Sequence, residues 1–70
     1  MNFTAYLDTS DNTVSVYPST SSRRIVLIEG VKSEGQARSA LTRRGFTVTE
    51  TGEYAYGSTF TGTAAAAKTR

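Results

Sequence analysis

One stretch of this chain is patterned as a helix, and the sequence marks both of its ends. Ser33-Glu34-Gly35-Gln36 has the spacing of a capping box. In that motif the Ser33 hydroxyl accepts from the Gln36 amide and the Gln36 side chain reaches back. Ala37, Ala40 and Leu41 then form a narrow apolar stripe. Arg43 and Arg44 complement the negative helix end. Gly45 stands where a left-handed residue stops a helix, and Phe46 follows at the position that packs back on Leu41. A chain with one short helix must build the rest of its core from strands.

The remaining pattern has period two, as strands require. Phe3, Ala5 and Leu7 alternate with Thr4, Tyr6 and Asp8, and the turn cluster Asp8 to Asn12 leads into Val14 and Val16, which alternate with Ser15 and Tyr17. These two runs predict a hairpin. Pro18 ends it, and Ser19 to Ser22 form a polar loop. Arg24 to Glu29 is apolar on both faces, the pattern of a central strand. After the helix, Phe46 and Val48 alternate with threonines, Thr51-Gly52-Glu53 reads as a turn, and Tyr54 to Thr61 as a fifth strand with a bulge or bend at Gly57.

The predicted order is β-β-β-α-β-β. It describes an α+β domain over residues 1–62, a small antiparallel or mixed sheet with one helix packed on one face, followed by a frayed tail over 63–70 in which Ala64 to Ala67 suffice for one helical turn. The expected core is Phe3, Leu7, Val14, Val16, Ile25, Leu27, Ala37, Leu41, Val48 and Phe60.

Composition narrows the chemistry. The 70 residues include no Cys, His or Trp, which excludes a disulfide scaffold, a Cys/His zinc site, a thiol nucleophile and a His-based triad. The longest run of large apolar residues, Ile25 to Ile28, is too short to cross a membrane as a helix. No basic region followed by an apolar stretch opens the chain, so the expectation is a soluble, cytoplasmic protein. The pI near 9.3 suggests a polyanion partner. Residue by residue that suggestion weakens. Arg23, Arg24, Lys32, Arg38, Arg43 and Arg44 balance Asp8, Asp11, Glu29, Glu34, Glu50 and Glu53, and the net +2 comes from Lys68 and Arg70.

Three short motifs invite chemical readings, and each has a structural one. Gly30-Val31-Lys32-Ser33 lacks the first Gly and the adjacent Gly-Lys of a phosphate loop, so it reads as a turn into a helix cap. Arg44-Gly45-Phe46-Thr47-Val48 matches the first three positions of an RNA-recognition strand signature but not the second aromatic, so it reads as a helix stop and a core strand. Asp8, Asp11, Glu50 and Glu53 lack the spacing of a calcium loop and read as turn and surface residues. The expectation is a protein that is not an enzyme and takes no cofactor, metal or small-molecule substrate.

Surface recognition remains. With Phe3, Leu7, Val14, Val16, Ile25 and Leu27 against the helix, Tyr6, Tyr17, Val26 and Ile28 point the other way, and one helix cannot cover both faces. Those four residues are the candidate partner-binding set, since exposed Tyr with branched aliphatics is interface-like. The alternative is a nucleic-acid contact through Arg23, Arg24, Arg43 and Arg44, if the fold brings them together.

The segment SEGQARSALTRRGFTVTETGEYAYGSTFTG, residues 33–62, resembles in layout the helix-then-hairpin part of small phage-encoded inhibitors of the anti-CRISPR kind. The resemblance rests on a short Ala/Arg helix, a Gly-Phe stop and Thr-rich strands. It implies a non-enzymatic inhibitor that occludes a protein partner inside a bacterial host cell. A homodimer is a second form of the same expectation, because a core this small supplies at most ~3–5 kcal/mol without a staple.

Overall fold

A computed structural model describes residues 2–64. The hairpin forms first along the chain: β1 (Asn2–Asp8) and β2 (Thr13–Pro18) pair antiparallel from Phe3↔Pro18 to Asp8↔Thr13. Asn12 turns the chain with φ of 59°, a conformation that Asn tolerates. β3 (Val26–Glu29) adds to β2. The helix α1 (Glu34–Arg43) follows, and β4 (Phe46–Tyr54) and β5 (Gly57–Ala64) close the chain as a second hairpin, with β5 on the free side of β1. The sheet order is β3-β2-β1-β5-β4, with every pairing antiparallel. The expected α+β order is therefore present, with the sheet antiparallel throughout.

The two strands that flank α1 in sequence lie at opposite edges of the sheet. Four inter-strand spacings, about 19 Å, separate them. A ten-residue helix is about 15 Å long, so α1 with its short loops is just sufficient to cross the sheet, and it covers one face. Its ends are built as the sequence prescribes. Ser33 is the N-cap and its hydroxyl accepts from the Gln36 amide at 3.2 Å, while the Lys32 amide donates to Gln36 Oε1 at 2.8 Å. Gly45 has φ of +89°, and Phe46 then enters the core, where its ring meets Phe3 edge-on at 4.9 Å. Ala37 and Ala40 are small enough to let the helix lie close on the sheet, and Leu41 is the large side chain it buries.

The core lies between α1 and the sheet: Phe3, Ala5, Leu7, Val14, Val16, Ile28, Val31, Ala37, Ala40, Leu41, Phe46 and Phe60. This corrects the expected core at β3. Ile25 and Leu27 are 46% and 41% exposed, whereas Ile28 is buried and Val26 packs against the core. The cause is register. Val16↔Val26 and Val14↔Ile28 are paired, and residues directly opposite in an antiparallel ladder share a face. Since Val14 and Val16 face the helix, Val26 and Ile28 must also. β3 is also an edge strand of four residues rather than a central one. Ile25 and Leu27 are thus the β3 side chains that sheet pairing leaves without cover.

The second hairpin is shifted from expectation. Thr51, Gly52 and Glu53 continue β4, and the turn is Ala55–Tyr56, closed by the pairing of Tyr54 with Gly57. Thr9 fixes that turn by donating from its amide and hydroxyl to the Tyr56 carbonyl at 2.8 and 2.9 Å. The strand irregularity falls between Val48 and Glu50 rather than at Gly57, and there the Thr49 hydroxyl donates to the Thr61 carbonyl at 3.2 Å. β5 runs past Gly62 to Ala64, which pairs with Phe46, so the sheet extends two residues into the segment expected as tail. Residues 65–70, which include the rest of that tail, lie outside the described residues.

Urea denaturation of alanine variants checks the β3 register. Ile28→Ala is expected to cost ~2–5 kcal/mol, enough to unfold much of so small a domain, and Leu27→Ala no more than ~0.5 kcal/mol. The reverse ranking would restore the opposite register. In the same assay Ser33→Ala should lose about 1 kcal/mol through its cap.

Candidate functional site

The face of the sheet opposite α1 has no layer over it among the described residues. Its ladder rows follow from the pairing. The middle row is Leu27, Ser15, Tyr6, Thr59 and Gly52; on one side lies Tyr17, Thr4, Thr61 and Glu50, and on the other Glu29, Thr13, Asp8, Gly57 and Tyr54. The face is thus tyrosine and threonine on a pleated surface, with Leu27 at one edge.

Four tyrosines run across it in contact. Tyr17 and Tyr6 meet edge-on with centroids 5.7 Å apart, Tyr6 and Tyr54 lie tilted at 5.0 Å, and Tyr54 and Tyr56 meet edge-on at 5.5 Å. Tyr17 and Tyr6 touch diagonally across neighbouring strands, as long side chains do. Tyr54 reaches Tyr6 from β4, across β5. Gly57 lies directly beside Tyr54 in that ladder and carries no side chain, which leaves the ring room to lean. A Cβ at Gly57 would also collide with the Leu7 carbonyl, so the position is closed to other residues. Edge-to-face aromatic pairs contribute ~0.5–1.5 kcal/mol each beyond area burial, so the row holds the rings in place before any partner arrives.

The tyrosines border an open hollow of about 920 Å³. Tyr6, Tyr17 and Tyr54 line it together with Thr4, Thr13, Ser15 and Leu27. Its ends differ in charge. Arg24 and the β2–β3 loop stand at one end, while Asp8 and Asp11 line the other, where Glu29 ends β3. Asp8 is held ionised. The Ser10 hydroxyl is the main cause, with help from the amides of Ser10, at 2.9 Å, and Asp11; partial desolvation opposes them, and the net effect lowers the carboxyl below its ordinary value.

Of the predicted partner-binding residues, the structure places Tyr6 and Tyr17 on this face. Val26 and Ile28 are on the other side, in or against the core, so they cannot present themselves to a partner without unfolding β3. Leu27 and Ile25 replace them as the exposed aliphatics. Tyr54 and Tyr56 complete the row and were not among the predicted residues. With the turn assigned to Thr51–Glu53, Tyr54 fell on the same strand and face as Phe60. The pair Tyr54–Gly57 around two residues was the available signal for the true turn.

The arginines do not form one patch. Arg24 lines the tyrosine hollow, whereas Arg43, in the last helical turn, lines a groove on the opposite side with Ile28, Val31 and Ala40. Arg44 caps the helix with its amide on the Leu41 carbonyl at 3.1 Å, and Arg23 is exposed in the β2–β3 loop. The phosphate-loop-like segment is spent on internal bonds, since the Val31 amide donates to the Asn12 carbonyl and the Lys32 amide to Gln36. Phe46, the aromatic of the RNA-recognition-like segment, is buried against Phe3. Glu50 and Glu53 point to opposite faces, paired with Thr61 and Ser58 respectively. Among the described residues, no three His, Cys, Asp or Glu lie close enough to hold a metal ion, and no helix is long and apolar enough to cross a membrane.

No family model, no curated protein and no solved structure matches this chain.

Because the folded Asp8 carboxyl titrates below its unfolded value, its contribution to stability is present above the unfolded pKa. It is lost as pH falls through the lower folded pKa. An NMR titration of Asp8 should therefore show a midpoint below the ordinary carboxylate value, and Ser10→Ala should move it upward. An unchanged midpoint in Ser10→Ala would assign the shift elsewhere.

Proposed function

We propose that this chain is a small non-enzymatic binding protein whose uncovered sheet face docks a protein partner and acts by covering the partner's surface. The observation that supports this most is the tyrosine row: four aromatic rings in mutual contact on a sheet face that the only helix among the described residues leaves open. Tyr is enriched at protein interfaces because its ring offers rigid apolar area and its hydroxyl a hydrogen bond. Leu27 adds an exposed aliphatic, and Arg24 an anchor of the kind interfaces favour. The layout resemblance of residues 33–62 to phage-encoded inhibitors makes occlusion of a bacterial defence protein the first form of this reading to examine.

Nucleic acid is the less favoured partner. A phosphate backbone calls for a basic field, and this face sets Asp8, Asp11, Glu29 and Glu50 against Arg24. Its rings meet edge to face, so they do not offer a row of parallel surfaces for stacked bases.

The test compares proteins captured from the native host by the immobilised wild type and by Tyr6→Ala/Leu27→Asp. Both substitutions lie on the open face, so far-UV circular dichroism should be retained. The expected outcome is a specific protein held by the wild type and lost from the variant; equal capture by both would overturn the assignment of this face. Val26→Asp is unsuited to this purpose, because it would drive a charge toward the core.

A further inference from the structure

Resting on that docking face, we infer that the protein partner presents a cationic side chain, Arg or Lys, which seats beside the Asp8 carboxylate against the rings of Tyr6 and Tyr54. The first observation behind this is a division of charge that the neutral sum over the body conceals. Strand pairing puts Glu50 on the open face with Thr61, and Asp8 there with Thr13 and Gly57. Asp11 lines the hollow beside Asp8, and Glu29, which also borders the groove beside α1, ends the Asp8 row at the β3 edge. The basic residue lining the hollow is Arg24, at the far end. The helix side is the reverse. Lys32, Arg38, Arg43 and Arg44 lie on α1 or at its ends, together with Glu34, and Arg38 donates to the Thr51 hydroxyl on that side at 3.4 Å. Glu53 joins them there through its pairing with Ser58. The open face is therefore negative and the helix side positive. A cationic protein surface is drawn to the open face, and a phosphate backbone is repelled from it.

The second observation is where the negative charge stands relative to the aromatic row. Asp8, Gly57 and Tyr54 are successive members of one ladder row, so no side chain separates the Asp8 carboxylate from the Tyr54 ring. Tyr54 leans across β5 to reach Tyr6 at 5.0 Å. Tyr6 precedes Asp8 by two residues on the same side of β1, about 7 Å along the strand. The carboxylate thus borders the place where the two rings meet. Ser10 donates to its Oδ1 from both amide and hydroxyl and so holds the carboxylate in position. The gap beside it is permanent, because a Cβ at Gly57 would strike the Leu7 carbonyl. A carboxylate next to aromatic rings suits a guanidinium or an ammonium: the charge pairs with the oxygens while the cation and its apolar stem lie on a ring. Tyr17 and Leu27, further along the face, take the apolar side chains that flank such a cation.

Two-dimensional NMR on the full chain tests this, starting at about 20 mM salt, where charge is little screened. The probe is an acetylated and amidated peptide in which arginine, leucine and glycine repeat three times; its twin carries glutamate in place of arginine. The arginine peptide is expected to shift the Tyr6 and Tyr54 ring signals and the Asp8 amide, with an affinity that falls about tenfold by about 200 mM salt. Asp8→Asn, whose side chain still accepts from Ser10, and Tyr54→Leu should each weaken binding about three- to tenfold. Glu34→Gln removes the same charge from the helix side and should leave binding unchanged. The spectra verify the folding of each variant, and either open-face substitution carries the test if the other unfolds. Absence of shifts up to about 5 mM arginine peptide overturns the inference. So do equal shifts by the glutamate twin or by a short DNA duplex, or a loss in Glu34→Gln as large as in Asp8→Asn. If the arginine peptide does not bind while Tyr6→Ala/Leu27→Asp still abolishes capture of a host protein, the docking face stands and only the cation is removed from it.

Discussion

The helix has to travel from one edge of the sheet to the other. β3 and β4 are its immediate neighbours in sequence and the most distant strands in space, so ten helical residues with two short loops must carry the chain across the whole sheet. Everything else follows from this crossing. It buries the apolar side chains on one side of the sheet against Ala37, Ala40 and Leu41, with Val31 of the preceding loop. It leaves the opposite side with no layer of its own among the described residues. Among the described residues every other segment is strand or turn, so the uncovered face is a consequence of topology before it is a feature of function.

That face is composed to tolerate water and to accept a partner. Threonines and Ser15 satisfy a pleated surface in solvent, while the tyrosines bring apolar area without the penalty of exposed aliphatic side chains. Their mutual contacts fix the rings, which lowers the ordering cost of association. Charge is separated along the same surface, with Arg24 at one end and Asp8, Asp11 and Glu29 at the other. Such a separation along β3 gives a direction to docking.

The helix was legible because its signals are local. Ser33, Gln36 and Gly45 act on backbone groups within four residues, and nothing distant needs to be known. The β1–β2 hairpin was legible for the same reason, its apolar alternation being unbroken. β3 was not legible, because Ile25 to Ile28 offers apolar side chains to both faces and only its pairing with Val14 and Val16 selects between them. The β4–β5 turn was missed because Thr51-Gly52-Glu53 has turn chemistry, while the true turn at Ala55–Tyr56 is held by Thr9, remote in sequence. Of the partner-binding residues, Tyr6 and Tyr17 lay on strands whose parity was clear; Tyr54 and Tyr56 depended on the misplaced turn.

The sequence by itself determined one helix with both its caps, the strand count and their order along the chain, and the absence of Cys and His that excludes thiol and imidazole chemistry. Tertiary structure alone decided which side of β3 is buried, that the tyrosines of three strands form one row, and that Arg24 and Arg43 lie on opposite sides of the sheet. The physical reason is range. Capping and alternation are fixed by neighbours a few residues apart, whereas facing, convergence and the separation of charge are set by strand register, and register belongs to pairs of strands rather than to either one.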